Sequence, residues 1–212
     1  NCITVGASEN DRPTGSVPAP GYDIAYGTGS WLADFPVDPL RSDHVSNDPE
    51  GMAALSSRGP TDDGRIKPDV VAPGTNILSV RSSVASEHGW GLLPAGDGRR
   101  DFYMFMGGTS MATPITAGTV ALIRQYLQNA CLVSPSAALI KAMLIHGSVP
   151  MAGQYAAPEV GQIPNNDEGW GRINLAAATD NSASFVEQTA GLATTGVATY
   201  AFNVAGGAPF KV

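Results

Sequence analysis

The stretch Gly107-Gly108-Thr109-Ser110, followed by an apolar run to Leu127, constrains the fold more than any other part of the chain. Paired glycines admit backbone angles that a β-carbon forbids, so the chain can turn sharply there and lie close to a ligand. Met111, Ala112, Ile115, Ala117, Val120, Ala121, Leu122, Ile123 and Leu127 then read as one long apolar helix. Pro114 has no N–H and is cheapest within a first helical turn, which puts the helix start near Thr109 or Ser110. Ser110 is therefore expected at a glycine-rich helix entry. Free N–H groups and the helix dipole favour a developing negative charge at such a place, as a nucleophile beside an oxyanion site requires. The competing reading is that Ser110 is an ordinary N-cap, a role serine fills well.

Around this stretch the pattern alternates short β-rich segments with helices. Residues 2–7 read as a core strand of a parallel sheet, ended by Gly6. Val70-Val71 and Ile77 to Val80 read as short buried strands on either side of the Pro73-Gly74 turn. Phe102 to Phe105 alternates and should run extended into the glycine loop. Ser134 is expected to cap a second helix, with Pro135 at its first position. Leu139, Ala142, Met143 and His146 would share a face of that helix, and Gly147 would end it as a C′ residue. Asn174 is expected to cap a short helix, Leu175 to Ala178.

Other residues invite functional readings and receive structural ones. Asp69 lies among apolar neighbours, so its charge needs partners such as backbone N–H groups or Arg58, and it reads as an anchor. Residues 9–53 carry many prolines and glycines and the acids Asp34, Asp38, Asp43, Asp48 and Glu50, without any period. The acids lack the spacing of a dedicated calcium loop and read as solvated surface, with His44 exposed among them. Cys2 and Cys131 are too few for a disulfide framework and are expected as buried free thiols.

Gly107 to Pro114 resembles the nucleophile motif of the subtilisin-like serine proteases. Ser56-Ser57-Arg58-Gly59-Pro60 with Lys67 to Gly74, and Glu168 to Asn174, resemble two further segments of that family in the same order. The resemblance implies an α/β fold: the C-terminal part of a subtilisin-like parallel-sheet domain with helices on both faces, followed by the first strands of a β-sandwich. Residues 1–180 would be the peptidase part, with 9–53 as an enlarged surface insertion. Residues 181–198 would be a linker and 199–212 the start of a β domain. Ser110 would be the catalytic nucleophile, with Gly108 and Thr109 serving oxyanion and substrate binding.

None of His44, His88 and His146 has the family's context for a base. The expectation is thus a fragment whose triad Asp, triad His and oxyanion Asn lie upstream of Asn1, and which is inactive alone. The resemblance further implies protein or peptide substrates, a monomer, an extracellular location, no cofactor for catalysis and structural calcium with unassigned ligands. A lipase-type hydrolase would need a glycine where Ala112 stands. A non-catalytic subtilase-like binding or structural module remains open. The formal net charge of -7 argues against a nucleic-acid or anionic-membrane partner, and no apolar run has the length of a membrane span.

Overall fold

The computed structural model describes residues 2–12, 24–130, 134–155, 159–182, 184–188 and 190–203. Two strands, β1 (Val5–Ser8) and β2 (Val70–Pro73), pair in parallel, with Val5 opposite Val70 and Ser8 opposite Pro73. An antiparallel sheet of three strands follows: β3 (Ile77–Val80), β4 (Gly91–Leu92) and β5 (Tyr103–Met106), with β5 in the middle. The helices are α1 (Thr109–Asn129), α2 (Ala137–Gly147) and α3 (Leu175–Ala178). A 3-10 turn, Gly29–Ala33, lies in the long segment after β1. The α/β class and the parallel pairing agree with the sequence expectation.

Two of the core clusters among the described residues have different jobs. Val70, Ile123, Leu127, Leu139, Ile140, Met143, Leu144 and Ala178 form a large-residue cluster that joins α1, α2 and α3 to β2. Ala7, Ala53, Ala72 and Ala112 form a second cluster beneath the first turn of α1. Side chains this small let the helix backbone approach the carboxyl ends of β1 and β2 closely. That contact places the helix start at the sheet edge where α/β folds collect their sites.

Several local expectations change in the structure. Helix α1 begins where expected, but Pro114 is its sixth residue and lies past the first turn, removing one backbone bond rather than filling a free position. Its buried residues are Ala112, Thr116, Ile123 and Leu127, whereas Ala117, Ala121 and Leu122 are exposed, so the apolar run is not buried on all sides. Strand β3 is only half-buried at Ile77 and Leu78, and Val80 is exposed, because β3 is an edge of its sheet. Cys2 is a free thiol and exposed rather than buried; Cys131 lies outside the described residues.

The second helix is capped by Ser136, whose Oγ accepts from Leu139 N–H at 3.1 Å, and not by Ser134. Gly147 is still helical, and glycine is needed there because a Cβ would lie 2.6 Å from the Ala178 Cβ of α3. The buried face of α2 carries Leu139, Ile140, Met143 and Leu144, while Ala142 is exposed. Asn174 caps α3 as expected, accepting from Ala177 N–H at 3.1 Å. Replacing Ser136 by Ala should lower unfolding free energy by about 1 kcal/mol, with Ser134→Ala near zero, measured by urea denaturation.

The segment 9–53 is more than surface. Tyr26, Val45, Met52 and Ala53 are buried, and His44 is half-buried in a bridge with Ala25. Residues 199–203 are exposed and carry no strand, and the remainder of the expected hairpin lies outside the described residues. No helix among the described residues is long and apolar enough to cross a membrane.

Candidate active site

The site is built from the carboxyl ends of β1 and β2 and the entry to α1. Gly74, just after β2, donates its N–H to Ser8 O at 2.9 Å and accepts from Gly108 N–H at 2.7 Å. The glycine turn before the helix is thereby tied to both parallel strands. Gly108 is the N-cap residue, with φ 137° and ψ 165°, a conformation that side chains rarely adopt. Gly107 is a glycine for another reason: a Cβ there would lie 1.9 Å from the Trp90 indole, so the ring rests on bare backbone.

Ser110 is the second residue of α1 and is exposed. The cap position belongs to Gly108 and no side chain caps this helix, so the N-cap reading of Ser110 does not hold. Its Oγ makes no hydrogen bond among the described residues. The carbonyl of Gly108 accepts from Met111 N–H at 2.9 Å and from Ala112 N–H at 3.4 Å, which leaves the N–H groups of Thr109 and Ser110 without an acceptor among the described residues. A free hydroxyl and free N–H donors at the positive end of a 21-residue helix form an arrangement suited to acyl transfer. Thr109 adds a half-buried hydroxyl, and its carbonyl accepts from Thr113 Oγ1 at 2.9 Å.

The histidines lie elsewhere in the fold. His44 belongs to the bridge with Ala25, His88 to the turn before β4, and His146 to the last turn of α2. Asp69 is 8% exposed and anchors structure. Its carboxylate accepts from Thr4 N–H at 2.7 Å, Lys67 Nζ at 2.8 Å and Lys141 Nζ at 2.9 Å. Arg58 pairs instead with Asp167 at 3.2 Å. Among the described residues no group of three or more His, Cys, Asp or Glu side chains is placed to hold a metal ion.

A buried polar cluster beside the site was not legible in the sequence. Glu9, fully buried, accepts from Tyr26 OH at 2.9 Å and from Gln154 Nε2 at 3.4 Å. Tyr26 OH also accepts from Ala54 N–H at 3.1 Å, and Tyr155 OH donates to Asp43 at 2.7 Å. Burial, reinforced by the Asp43 charge, pushes the Glu9 carboxyl up to about 8. Glu9 is therefore protonated in the folded protein at neutral pH but ionised in the unfolded chain. Its contribution to stability is complete below about pH 4.5 and is lost as pH rises toward 8. Glu9→Gln should remove a loss on the order of 4 kcal/mol between those limits. The check is the difference in unfolding free energy between variant and wild type at pH 5 and pH 8.

Most of the chain matches a known protein family. A model of the subtilase family (Peptidase S8) matches residues 1–171. The serine protease/ABC transporter B family protein tagB of Dictyostelium discoideum is 33% identical over 148 residues, covering 58% of this chain and 8% of that protein. Serine protease AprX of Bacillus subtilis (strain 168) is 39% identical over 124 residues, covering 58% of this chain and 25% of its own length. The structure of the Clostridium perfringens CspB protease aligns with a TM-score of 0.45 at 24% identity, covering 84% of this chain and 26% of that one. The chain thus spans a quarter or less of the length of these curated relatives.

Proposed function

From the premise that the chain belongs to the subtilase family, whose relatives named above are serine proteases, we propose that it carries the nucleophile of a serine endopeptidase. Ser110 Oγ attacks the carbonyl carbon of a peptide bond while its proton passes to a general base. The carbonyl oxygen becomes an oxyanion held by the Ser110 N–H and the Thr109 hydroxyl. Collapse of this intermediate breaks the C–N bond, the base gives its proton to the departing amine, and water then hydrolyses the acyl-enzyme. Gly108, lacking a side chain, keeps the approach to Ser110 open.

The observation that carries this reading is the placement of Ser110. It is exposed in the first turn of α1, and its hydroxyl and N–H are engaged by nothing among the described residues. The base, its orienting acid and a further oxyanion donor come, in this reading, from a part of the protein beyond these 212 residues. Two features support that. The three histidines belong to other regions, and α1 leaves Ala117, Ala121 and Leu122 exposed as an apolar face for further chain to cover. Proteins or peptides are the substrates, and an extracellular location follows the family's habit.

The test is a fluorophosphonate probe applied to the full-length protein. Label should map to Ser110 and disappear in Ser110→Ala. Label that survives the substitution defeats the assignment, and an unreactive wild type would favour a non-catalytic subtilase-like module.

A further inference from the structure

The turn that presents Ser110 is contacted from outside by a run of aromatic rings that begins in the segment after β1. The Trp90 indole sits where a Gly107 β-carbon would be, three residues before Ser110. Three residues span about 10 Å of extended chain at most, so whatever holds Trp90 acts close to the nucleophile. Trp90 is also fixed by its backbone, donating N–H to Phe105 O at 2.8 Å. Its ring packs against Trp31 in an edge-to-face pair, with ring centroids 5.2 Å apart and an interplanar angle of 75°.

Trp31 lies in the 3-10 turn Gly29–Ala33 and also contacts Tyr26, with ring centroids 5.8 Å apart. Tyr26 is fully buried, contacts Phe35 at 5.2 Å and hydrogen-bonds Glu9 and Ala54. One end of this run is therefore anchored in the interior beside β1, and the other presses on the glycine turn. Edge-to-face rings resist sliding because their quadrupoles set a preferred angle. A rigid support of this kind matters most where backbone donors must already point at a developing charge.

We propose that Trp31 is a positioning residue for the hydrolytic reaction: it pins Trp90 against Gly107 and so holds the turn that aims Ser110 and its N–H. The segment after β1 thereby acts as a brace for the nucleophile loop. The proposal rests on the protease reading given above. Trp31 itself touches no reacting atom. Its removal should weaken an interaction made in the transition state and leave ground-state binding alone.

The experiment uses the full-length protein with Trp31→Ala, Trp31→Leu and Trp31→Phe. Two quantities are measured: steady-state kinetics on a peptide substrate and hydrogen exchange of the Gly108 amide, which is bonded to Gly74 O. Trp31→Ala and Trp31→Leu should lower kcat about three- to tenfold with KM within about twofold, the size expected for losing one aromatic pair. Gly108 exchange should accelerate by a similar factor, and Trp31→Phe should restore both quantities to within about twofold. Leu keeps apolar bulk at the site, so it serves even if the Ala variant folds poorly. Wild-type exchange at Gly108 in the Ala or Leu variant overturns the proposal, as does a loss confined to KM. If the wild type neither hydrolyses peptide nor takes a fluorophosphonate label, the protease reading fails separately, and exchange alone decides whether Trp31 braces the turn.

Discussion

Ser110→Ala in the full-length protein is expected to lower kcat by roughly 10^6-fold with little change in KM if Ser110 acts as proposed; that magnitude is the loss known for the nucleophilic serine of subtilisin. In the proposed reaction the hydroxyl supplies the atom that forms the new bond, and no neighbour can substitute. Its removal does not disturb the fold, because Ser110 is exposed and caps nothing. The helix keeps its Gly108 entry, and Ala is a better helix former than Ser. Thermal unfolding of the variant should therefore match wild type within about a degree or two, while peptide hydrolysis disappears. A variant that retained a tenth of wild-type kcat would remove Ser110 from the chemistry.

The second large effect is on stability. Asp69→Ala should cost about 3 kcal/mol or more of unfolding free energy, measured by urea denaturation at pH 7. Burial opposes the Asp69 charge, but bonds from Lys141, Lys67 and the Thr4 N–H outweigh it and hold the carboxyl below its usual range. Truncation leaves two ammonium groups facing each other and one N–H without its acceptor. Both lysines keep partial access to water, at 21% and 27% side-chain exposure, so the lower end of the range for broken buried pairs applies. Since the folded carboxyl titrates low, the stabilisation is present above the ordinary Asp range and is lost as pH falls through the depressed value. The wild-type advantage over Asp69→Ala should thus shrink at pH 2. Arg58→Met, by contrast, should change stability by less than about 1 kcal/mol, because Arg58 is 44% exposed and pairs with Asp167.

How much could be read beforehand depended on how local the deciding interaction was. The start of α1, the strand entering it at Tyr103 to Met106 and the Asn174 cap all follow from neighbours a few residues away. Apolar spacing and turn chemistry sufficed for them. The cap of α2 fell between Ser134 and Ser136, two residues with the same chemistry, and only the path of the chain into the core selected Ser136. Gly147 looked like a helix terminator, yet its reason is the close passage of Ala178. Cys2 was expected inside because free thiols are commonly buried, but it precedes β1 on the outer surface.

Sequence alone determined the chemistry offered by Gly107 to Met111: a backbone free to turn, a serine, and a helix whose first donors lie beside it. These properties belong to consecutive residues, so no tertiary contact was needed to infer them. Only the tertiary structure decided that Gly108 is the cap, which leaves the Ser110 hydroxyl free, and that Gly107 makes room for Trp90. It alone brought Glu9, Tyr26, Trp31 and Trp90 into one continuous run against the glycine turn. Those contacts join segments far apart in the chain, and aromatic packing and desolvation of a carboxyl depend on three-dimensional surroundings that no periodicity encodes.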